Sequence, residues 1–275
     1  EDRILAGILR LADKGILVRE EIAGRDAVYL RDMHDAEAYL AHMLSDMSER
    51  NYEYDFDVDS LLHGLFDDSE FPYSEKQKQA IAAAARNGLV ILTGGPGTGK
   101  TTTVSGILRV FEALSLNTLL AAPTGRAAKR LSDLTGMEAK TIHRLLGMSW
   151  NEQTGDVTFT KNEKEPLEAD AVIVDETSMV DLALMRALLA ALRPGCRLVL
   201  VGDPDQLLSV GAGNVFGDLI RSERVATVAL KDIFRQAEQS AIVRSAHLVN
   251  EGQLPELQNT AASDFFFLPR RDSVR

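Results

Sequence analysis

A glycine-rich segment with one lysine and one threonine carries the clearest chemistry in this sequence. An apolar run at 89–93 leads into Gly94-Gly-Pro-Gly-Thr-Gly-Lys-Thr101, which has the spacing G-x-x-x-x-G-K-T, and a helix-compatible stretch follows. Glycines let the backbone turn so that successive N–H groups point at one anion, and a helix that begins near Thr101 adds the positive end of its dipole. The spacing therefore predicts a phosphate-binding loop for ATP or a related nucleoside triphosphate.

The loop supplies groups for both the phosphates and a metal ion. Lys100 places a positive charge on the β- and γ-phosphates, and the Thr101 hydroxyl is suited to bind Mg²⁺. The residues predicted to hold the nucleotide run from the second glycine into the first turn of the helix: Gly95, Pro96, Gly97, Thr98, Gly99, Lys100, Thr101 and Thr102. ATP and Mg²⁺ are therefore the predicted cofactors.

Two carboxylates follow a second apolar run, Ala171-Val-Ile-Val174. Parallel sheets bind ligands at the carboxyl ends of their strands, so Asp175 is expected near the Mg²⁺ held by Thr101, directly or through water. Glu176, one residue further, is suited to activate the attacking water. An Asp-Glu pair is a weak signal by itself, but together with a phosphate loop it predicts nucleotide hydrolysis.

Three more polar residues are candidates for the nucleotide site. Gln206 follows another apolar run and could sense the γ-phosphate, and Arg235 offers a charged fork for phosphate oxygens. Gln77 lies upstream of the loop, where its amide could contact the adenine edge. Each also has an ordinary explanation: a turn at Gly202-Asp-Pro204 for Gln206, a surface position for Arg235, and helix capping for Gln77.

A basic segment after a further apolar strand is a candidate nucleic-acid contact. Its sequence, Ala-Ala-Pro-Thr-Gly-Arg-Ala-Ala-Lys-Arg, opens a helix whose start could hold a phosphodiester backbone through a hydroxyl, a free N–H and two cations. The residues concerned are Thr124, Gly125, Arg126 and Lys129. His143, in Thr-Ile-His-Arg-Leu-Leu, could stack on a base. A solvated helix face and a packed histidine are the alternative explanations.

The elements that would position these groups alternate between strand and helix from residue 74 onward. The pattern predicts strands at 89–93, 117–122, 171–174 and 197–201, with helices at 74–85, 100–114, 125–135, 180–192 and 213–222. Strands separated by helices imply a parallel sheet with helices on both faces, so the fold class is α/β. A β-hairpin around Thr154-Gly155 interrupts this order.

The N-terminal part has a different pattern. A helix, two short strands joined through Gly24 and a second helix resemble the end of a winged-helix-type unit, and an acidic connector follows. The chain starts abruptly within that pattern, so we expect the natural N-terminus to lie upstream. The expected parts are an N-terminal segment at 1–70, a nucleotide-binding domain at 71–260 with a hairpin insertion at 149–165, and the start of a further domain at 261–275.

Charge and composition limit the classes of function. The net charge is −11, but residues 1–80 account for −10 of it and residues 125–144 have a local charge of +3. A nucleic-acid surface depends on local charge, so overall acidity does not exclude one.

Cys196 is the only cysteine, which excludes an intrachain disulfide and fits a cytoplasmic setting. The absence of a signal-peptide pattern and of an apolar stretch near ~20 residues argues against a membrane protein.

Taken in order, the motifs resemble those of superfamily 1B DNA helicases, and the RecD-like group most closely. Gly-Gly-Pro-Gly-Thr-Gly-Lys-Thr, Ala-Pro-Thr-Gly-Arg-Ala-Ala, Thr-Ile-His-Arg-Leu-Leu, Val-Asp-Glu-Thr-Ser-Met and Gly-Asp-Pro-Asp-Gln-Leu are similar to motifs I, Ia, Ib, II and III. Val-Gly-Ala-Gly-Asn214 and Ile-Phe-Arg-Gln236 extend the likeness through motif IV. The N-terminal unit and acidic connector are more similar to the stand-alone RecD branch. One departure is Leu208, where the family usually has proline.

The resemblance covers about residues 1–268 and implies a RecA-like first motor domain, with the hairpin as a strand-separating pin called domain 1B. It also implies ATP-driven 5′→3′ translocation on single-stranded DNA and unwinding at duplex junctions, in repair or recombination. Residues 264–268 would begin a second motor domain, and its arginine finger would lie outside this chain. We therefore expect the chain to bind ATP·Mg²⁺ weakly, to hydrolyse it poorly and not to unwind DNA.

Two other interpretations stay open. One is the α subunit of exonuclease V, which works with two partner chains. The other is a P-loop ATPase that switches protein assembly without binding nucleic acid, and the contribution of Arg126 and Lys129 to DNA binding would distinguish it. A nucleotide kinase fits less well, because Asp175-Glu176 and Gln206 suit water activation and γ-phosphate sensing.

Overall fold

Helices and strands alternate along most of the chain, as the apolar pattern predicts. The computed structural model describes residues 2–68, 72–150, 157–232, 240–255, 257, 259 and 263–268. The N-terminal part contains α1 (Asp2–Asp13), β1 (Leu17–Ile22), β2 (Arg25–Leu30), α2 (Arg31–Glu49) and α3 (Val58–Asp67). The middle contains α4 (Glu75–Arg86), β3 (Leu89–Gly94), α5 (Lys100–Ala113), β4 (Thr118–Ala122), α6 (Gly125–Thr135), β5 (Ala139–Thr141), α7 (Ile142–Leu145), β6 (Met148–Trp150) and β7 (Val157–Phe159). The last part contains β8 (Ala171–Val174), a 3₁₀ turn (Thr177–Met179), α8 (Leu182–Ala190), β9 (Arg197–Gly202), α9 (Val215–Ser222), β10 (Ala226–Leu230) and α10 (Ala241–Asn250).

Six parallel strands form the central sheet, in the order β10-β3-β9-β8-β4-β5. Strand β9 therefore lies between β3, which leads into the glycine-rich loop, and β8, which leads into the two carboxylates. This order differs from the order along the chain. It brings the carboxyl ends of β3, β9 and β8 side by side, which is where open α/β sheets bind ligands.

The sheet is buried on both faces. Along β9, Leu198 and Leu200 pack in the core beside α2 and α8, whereas Val199 and Val201 pack in the core beside α4 and α5. Successive side chains of a strand point to opposite faces, so one apolar strand supplies both cores. The predicted α/β class, with a parallel sheet between two helical layers, is confirmed.

The N-terminal part is a helix, an antiparallel hairpin and a second helix, as predicted. The hairpin turns at Ala23 and Gly24, whose φ angles are 50° and 75°. Two positive φ angles are typical of a type I′ turn, and glycine adopts them without strain. Helix α2 contributes Leu40 and Leu44 to the core that also contains the sheet. Among the described residues, every helix is too short or too polar to cross a lipid bilayer.

The predicted hairpin insertion is present as β6 and β7, which pair antiparallel from Met148↔Phe159 to Trp150↔Val157. The predicted turn at Thr154-Gly155 lies outside the described residues. The base of the hairpin is tied to α7, because Lys161 N donates to Leu146 O (3.0 Å). Trp150 is 59 % exposed, so the hairpin presents an aromatic side chain to solvent.

Several elements differ from the prediction. Strands β5 and β10 lie at the two edges of the sheet and helix α10 follows them, and none of the three is predicted from the apolar pattern. Residues 264–268, which the resemblance assigns to the beginning of a second motor domain, pair with no strand within the described ranges. Their phenylalanines favour β structure, but a strand needs a neighbour. Asp264 instead caps α10, accepting from Ala241 N (2.7 Å).

Candidate functional site

The buried strand β3 ends in the glycine-rich loop, residues 94–101. Gly97 and Gly99 have φ angles of 76° and 83°, a conformation that other residues rarely adopt. Gly99 is also the N-cap of α5. The first N–H groups of a helix have no partner within the helix, so those of α5 are available to an anion at the loop. The local geometry fits a polyphosphate.

The Lys100 ammonium lies within this loop. It donates to Gly94 O (2.5 Å) and to Gly95 O (3.0 Å). Burial lowers the pKa of Lys100, and three neighbouring carboxylates, Asp203 foremost, act in the opposite direction. A partly desolvated ammonium attracts phosphate oxygens more strongly than one in water does.

Asp175 and Glu176 follow the carboxyl end of strand β8, on the same side of the sheet as the glycine-rich loop. Asp175 N donates to Ala121 O of β4 (2.9 Å), and Glu176 N donates to the Asp175 carboxylate (2.9 Å). Burial is the main cause that raises the pKa of both carboxyl groups, and the charge of Asp175 raises that of Glu176 further. Each carboxylate is thus a stronger base than one in water.

Glu176 has two features that are unusual for a glutamate. Its φ angle of 53° is in the left-handed region, where a non-glycine residue is strained, and such strain is concentrated at functional sites. Its Oε2 atom is buried and has no hydrogen-bond partner among the described residues. That oxygen is available to accept a proton from a water molecule.

Asp203 is a site residue that the sequence analysis does not select. It is 2 % exposed, its Oδ1 accepts from Asp205 N (3.1 Å), and its Oδ2 accepts from Gln206 Nε2 (3.3 Å). The turn predicted at 202–204 is therefore present, and Gln206 lies beside a carboxylate that faces Lys100. The signal for Asp203 is the one used for Asp175, since both directly follow a buried strand.

The oxygen groups at this edge suit Mg²⁺ with help from a nucleotide. Within the part of the chain that the structure describes, no three His, Cys, Asp or Glu side chains form a preformed metal cage. Mg²⁺ is typically held by one or two protein ligands together with substrate phosphates and water. Asp175 and the Thr101 hydroxyl are the ligands of this type that the sequence analysis predicts.

The side chain of Gln77 is hydrogen-bonded to the backbone of the glycine-rich loop. It is 1 % exposed, its Oε1 accepts from Ser74 N (2.9 Å), and its Nε2 donates to Gly99 O (3.3 Å). The predicted capping box between Ser74 and Gln77 is confirmed. The amide thus positions the residue that caps α5, whereas a contact with adenine stays a prediction. Arg235 lies outside the described residues.

The basic segment lies along the same edge of the sheet, beyond β8. Thr124 caps α6 by accepting from Ala127 N (3.2 Å), and Gly125, Arg126 and Lys129 are exposed. Strand β4, which precedes them, is three strand spacings from β3, or about 14 Å. The four predicted contacts are therefore together at the start of one helix, separated from the phosphate loop by two strands.

His143 lies in α7, directly after the edge strand β5. It is half-buried, and its ring is tilted by 42° to that of Phe159, with the centroids 6.2 Å apart. The histidine therefore packs against the base of the hairpin. Stacking on a nucleic-acid base stays a prediction.

Arg130 is a second residue that the sequence analysis does not select. It lies one helical turn after Arg126 on α6, and side chains four residues apart share a helix face. Its positive charge lowers the pKa of Asp175 and of Glu176, against the effect of burial. Helix α6 is therefore in electrostatic contact with the carboxylates of the nucleotide site through Arg130.

Known proteins resemble this chain in sequence. The ATP-dependent RecD2 DNA helicase of Deinococcus radiodurans is 44 % identical over 182 residues, which cover 66 % of this chain and 24 % of the relative. The RecBCD enzyme subunit RecD of Mycolicibacterium smegmatis is 43 % identical over 196 residues, which cover 62 % of this chain and 35 % of the relative. The chain thus spans about a quarter to a third of the length of these relatives. The RecD-like resemblance indicated by the motifs is confirmed.

A solved structure and a family match agree with this result. The crystal structure of Pif1 helicase from Candida albicans aligns with a TM-score of 0.50 at 24 % identity, covering 68 % of this chain and 46 % of that one. This likeness shows a shared fold. The AAA domain family matches residues 72–266. Because that match spans most of the sequence, the chain belongs to the AAA domain family.

Proposed function

We propose that this chain is the ATP-binding motor part of a RecD-type DNA helicase, which hydrolyses ATP and couples hydrolysis to 5′→3′ movement along single-stranded DNA. The observation that supports this most strongly is the position of three groups at one edge of one sheet. They are the loop with Lys100, the carboxylates Asp175 and Glu176, and the basic start of α6. The printed name of the Deinococcus radiodurans relative, an ATP-dependent DNA helicase, supports the same function.

The nucleotide site works through charge. Lys100 and the N–H groups of α5 bind the phosphates. Thr101 and Asp175 would hold Mg²⁺, which would supply positive charge to the phosphate oxygens. Gln206, next to the buried Asp203, and Arg235 contact the γ-phosphate. Lys100 is the one charged side chain among loop residues 94–101.

Glu176 is the proposed general base. Its unpaired Oε2 accepts a proton from water while the water oxygen attacks the γ-phosphorus and the bond to ADP breaks. Because burial raises the pKa of Glu176, its carboxylate is a better base than an exposed one. The attacking water thus loses its proton to a group that is already held in position.

The nucleic-acid path runs over the start of α6. Thr124, Gly125, Arg126 and Lys129 hold the phosphate backbone of the strand, and His143 stacks on a base. In this proposal, residues 71–260 are the motor domain and the hairpin at 149–165 separates the strands of a duplex junction. The protein acts in DNA repair or recombination in the cytoplasm.

Replacing Lys100 tests the nucleotide half of the proposal. Lys100→Ala should weaken binding of ATP·Mg²⁺, measured by calorimetry, by at least about tenfold, because one charge on the phosphates is lost. Lys78→Ala is the matched control, since that half-buried lysine on α4 pairs with Glu75 (3.1 Å). Equal affinities for ATP in the wild-type chain and the Lys100 variant would contradict nucleotide binding at this loop.

A further inference from the structure

His247, in the last turn of α10, packs directly against the phosphate loop. A β-carbon built on Gly95 would lie 3.0 Å from His247 Cε1 and 3.6 Å from Nε2. The edge of the imidazole therefore lies against the loop backbone, and a side chain at position 95 would have to displace the ring. Helix α10, which the nucleotide mechanism above does not use, forms part of the wall of that site.

The Nε2 atom of His247 is buried and, within the described part of the chain, has no hydrogen-bond partner. A buried polar atom without a partner is costly, so such atoms in folded proteins are generally paired with protein, water or a ligand. Glu176 Oε2, the proposed proton acceptor, is another unpaired buried atom. A partner that arrives with the nucleotide would satisfy both atoms.

The surroundings of Gly95 indicate which part of a nucleotide His247 would meet. Gly95 O accepts from the Lys100 ammonium (3.0 Å) and from the Thr98 hydroxyl (2.9 Å). The lysine of such a loop reaches the β- and γ-phosphates. His247 touches the same loop residue, which would bring its ring near the terminal phosphate of a bound triphosphate.

Hydrogen bonds cap the N-terminus of α10. Ser240 Oγ accepts from Val243 N (3.2 Å), and the Asp264 carboxylate accepts from Ala241 N (2.7 Å) and from Ser240 Oγ (2.6 Å). These caps stabilise the helix that carries His247, whose last turn contacts the loop at Gly95.

We propose that His247 is a specificity-determining residue of the nucleotide site. Its Nε2–H donates a hydrogen bond to the terminal phosphate of a nucleoside triphosphate, which lets the loop distinguish a triphosphate from a diphosphate. A neutral imidazole carries one N–H, so this role requires the tautomer with the proton on Nε2. The inference rests on the proposed binding of ATP at the phosphate loop.

Affinities for two nucleotides test it. In the 275-residue chain, His247→Ala should weaken binding of a nonhydrolysable ATP analogue about tenfold and leave ADP binding unchanged, as expected for one lost hydrogen bond to a charged group. Calorimetry with Mg²⁺ measures both dissociation constants. An equal loss for both nucleotides would mean that the ring only packs against the loop, and it would overturn the proposal, as would no change for either.

Two conservative variants separate a hydrogen bond from packing. The amide nitrogen of His247→Gln reaches about as far as Nε2, whereas that of His247→Asn reaches only about as far as Nδ1. We expect the glutamine variant to keep the preference for the triphosphate and the asparagine variant to lose it. Equal behaviour of the two variants would refute the assignment to Nε2. Lys100→Ala serves as the reference, because unchanged ATP binding in that variant would instead refute ATP binding at the loop.

Discussion

Individual charged groups at the nucleotide site are kept partly out of water. Burial raises the pKa of Asp175 and Glu176 and lowers the pKa of Lys100. Burial disfavours the charged form of each group, and it also strengthens the attraction between opposite charges. Both the proposed binding of phosphates and the readiness of the carboxylates to accept protons therefore depend on burial and on pH.

Replacing the proposed general base should separate binding from hydrolysis. In the full-length helicase that we propose, Glu176→Gln should lower DNA-stimulated ATP hydrolysis by about 10²- to 10⁴-fold, the usual contribution of a general base. Release of inorganic phosphate measures the rate. ATP binding should persist, since Lys100 and the loop are intact. Glu168→Gln, at an exposed glutamate paired with Arg193 (3.7 Å), is the control. Unchanged hydrolysis in the Glu176 variant would assign the base elsewhere.

The same substitution should change the pH dependence of stability. Because the pKa of Glu176 is raised in the folded chain, the folded state binds its proton more tightly than the unfolded state does. The free energy of unfolding therefore falls as the pH rises from the ordinary glutamate pKa through the raised one. Without nucleotide, Glu176→Gln should have a higher Tm than wild type at pH 7 and a similar Tm at pH 4. A Tm difference that is independent of pH would rule out this effect of burial.

At the scale of elements, helix α6 carries both the proposed DNA contacts and an arginine that acts on the carboxylates of the nucleotide site. Its exposed residues include Arg126 and Lys129, and the adjacent Arg130 lowers the pKa of the carboxylates after β8. The hydrogen bond from Asp175 N to Ala121 O ties β8 to the strand that precedes α6. A movement of α6 on binding a strand of DNA would therefore change the electrostatic field at Glu176.

Removing two cations from α6 should weaken binding of single-stranded DNA in a salt-dependent way. For the double variant Arg126→Ala with Lys129→Ala, we expect the slope of log K against log salt to become shallower by about 1.4, because each contact with a single strand contributes about 0.7. Fluorescence anisotropy at several salt concentrations measures the slope. Arg221→Ala on α9 removes an exposed arginine paired with Asp218 and should leave the slope unchanged. The same slope in the wild type and the double variant would refute the proposed contact between single-stranded DNA and α6.

At the scale of the whole molecule, an aromatic cluster joins the N-terminal connector to the amino end of β9. The Arg197 guanidinium lies 3.7 Å from the centroid of the Tyr52 ring, and Arg197 Nη2 donates to the Tyr54 hydroxyl (2.9 Å). The Tyr54 hydroxyl in turn donates to Ala85 O at the end of α4 (2.5 Å). This cluster lies at the amino ends of the parallel strands, whereas the nucleotide site lies at their carboxyl ends.

Removing one hydroxyl from this cluster should lower stability without affecting the nucleotide site. Tyr54→Phe removes the hydrogen bonds of the Tyr54 hydroxyl with Arg197 Nη2 and with Ala85 O, so the free energy of unfolding should fall by about 1–2 kcal/mol. Urea denaturation measures it, and ATP affinity should not change. Tyr29→Phe, on β2, is the matched control. A loss of ATP affinity in the Tyr54 variant would show that the two edges of the sheet are coupled.

Much of the site could be predicted because its signals are local. The positive φ angles of Gly97 and Gly99, the buried runs that form β3 and β8, and the cap of α6 at Thr124 each depend on residues close in sequence. Sequence patterning likewise indicates the parallel α/β class. Edge strands such as β10 are harder to predict, because pairing with β3, and not their own composition, makes them strands.

The sequence by itself determined the phosphate loop, the carboxylate pair and the class of fold. Only the tertiary structure decided that β9 lies between β3 and β8, which adds Asp203 to the site, and that α6 and α10 bring Arg130 and His247 to it. The physical reason is that backbone conformation follows from neighbouring residues. Strand order and helix packing instead depend on burying the apolar faces of all helices and strands together. They therefore cannot be predicted from any short segment of the sequence.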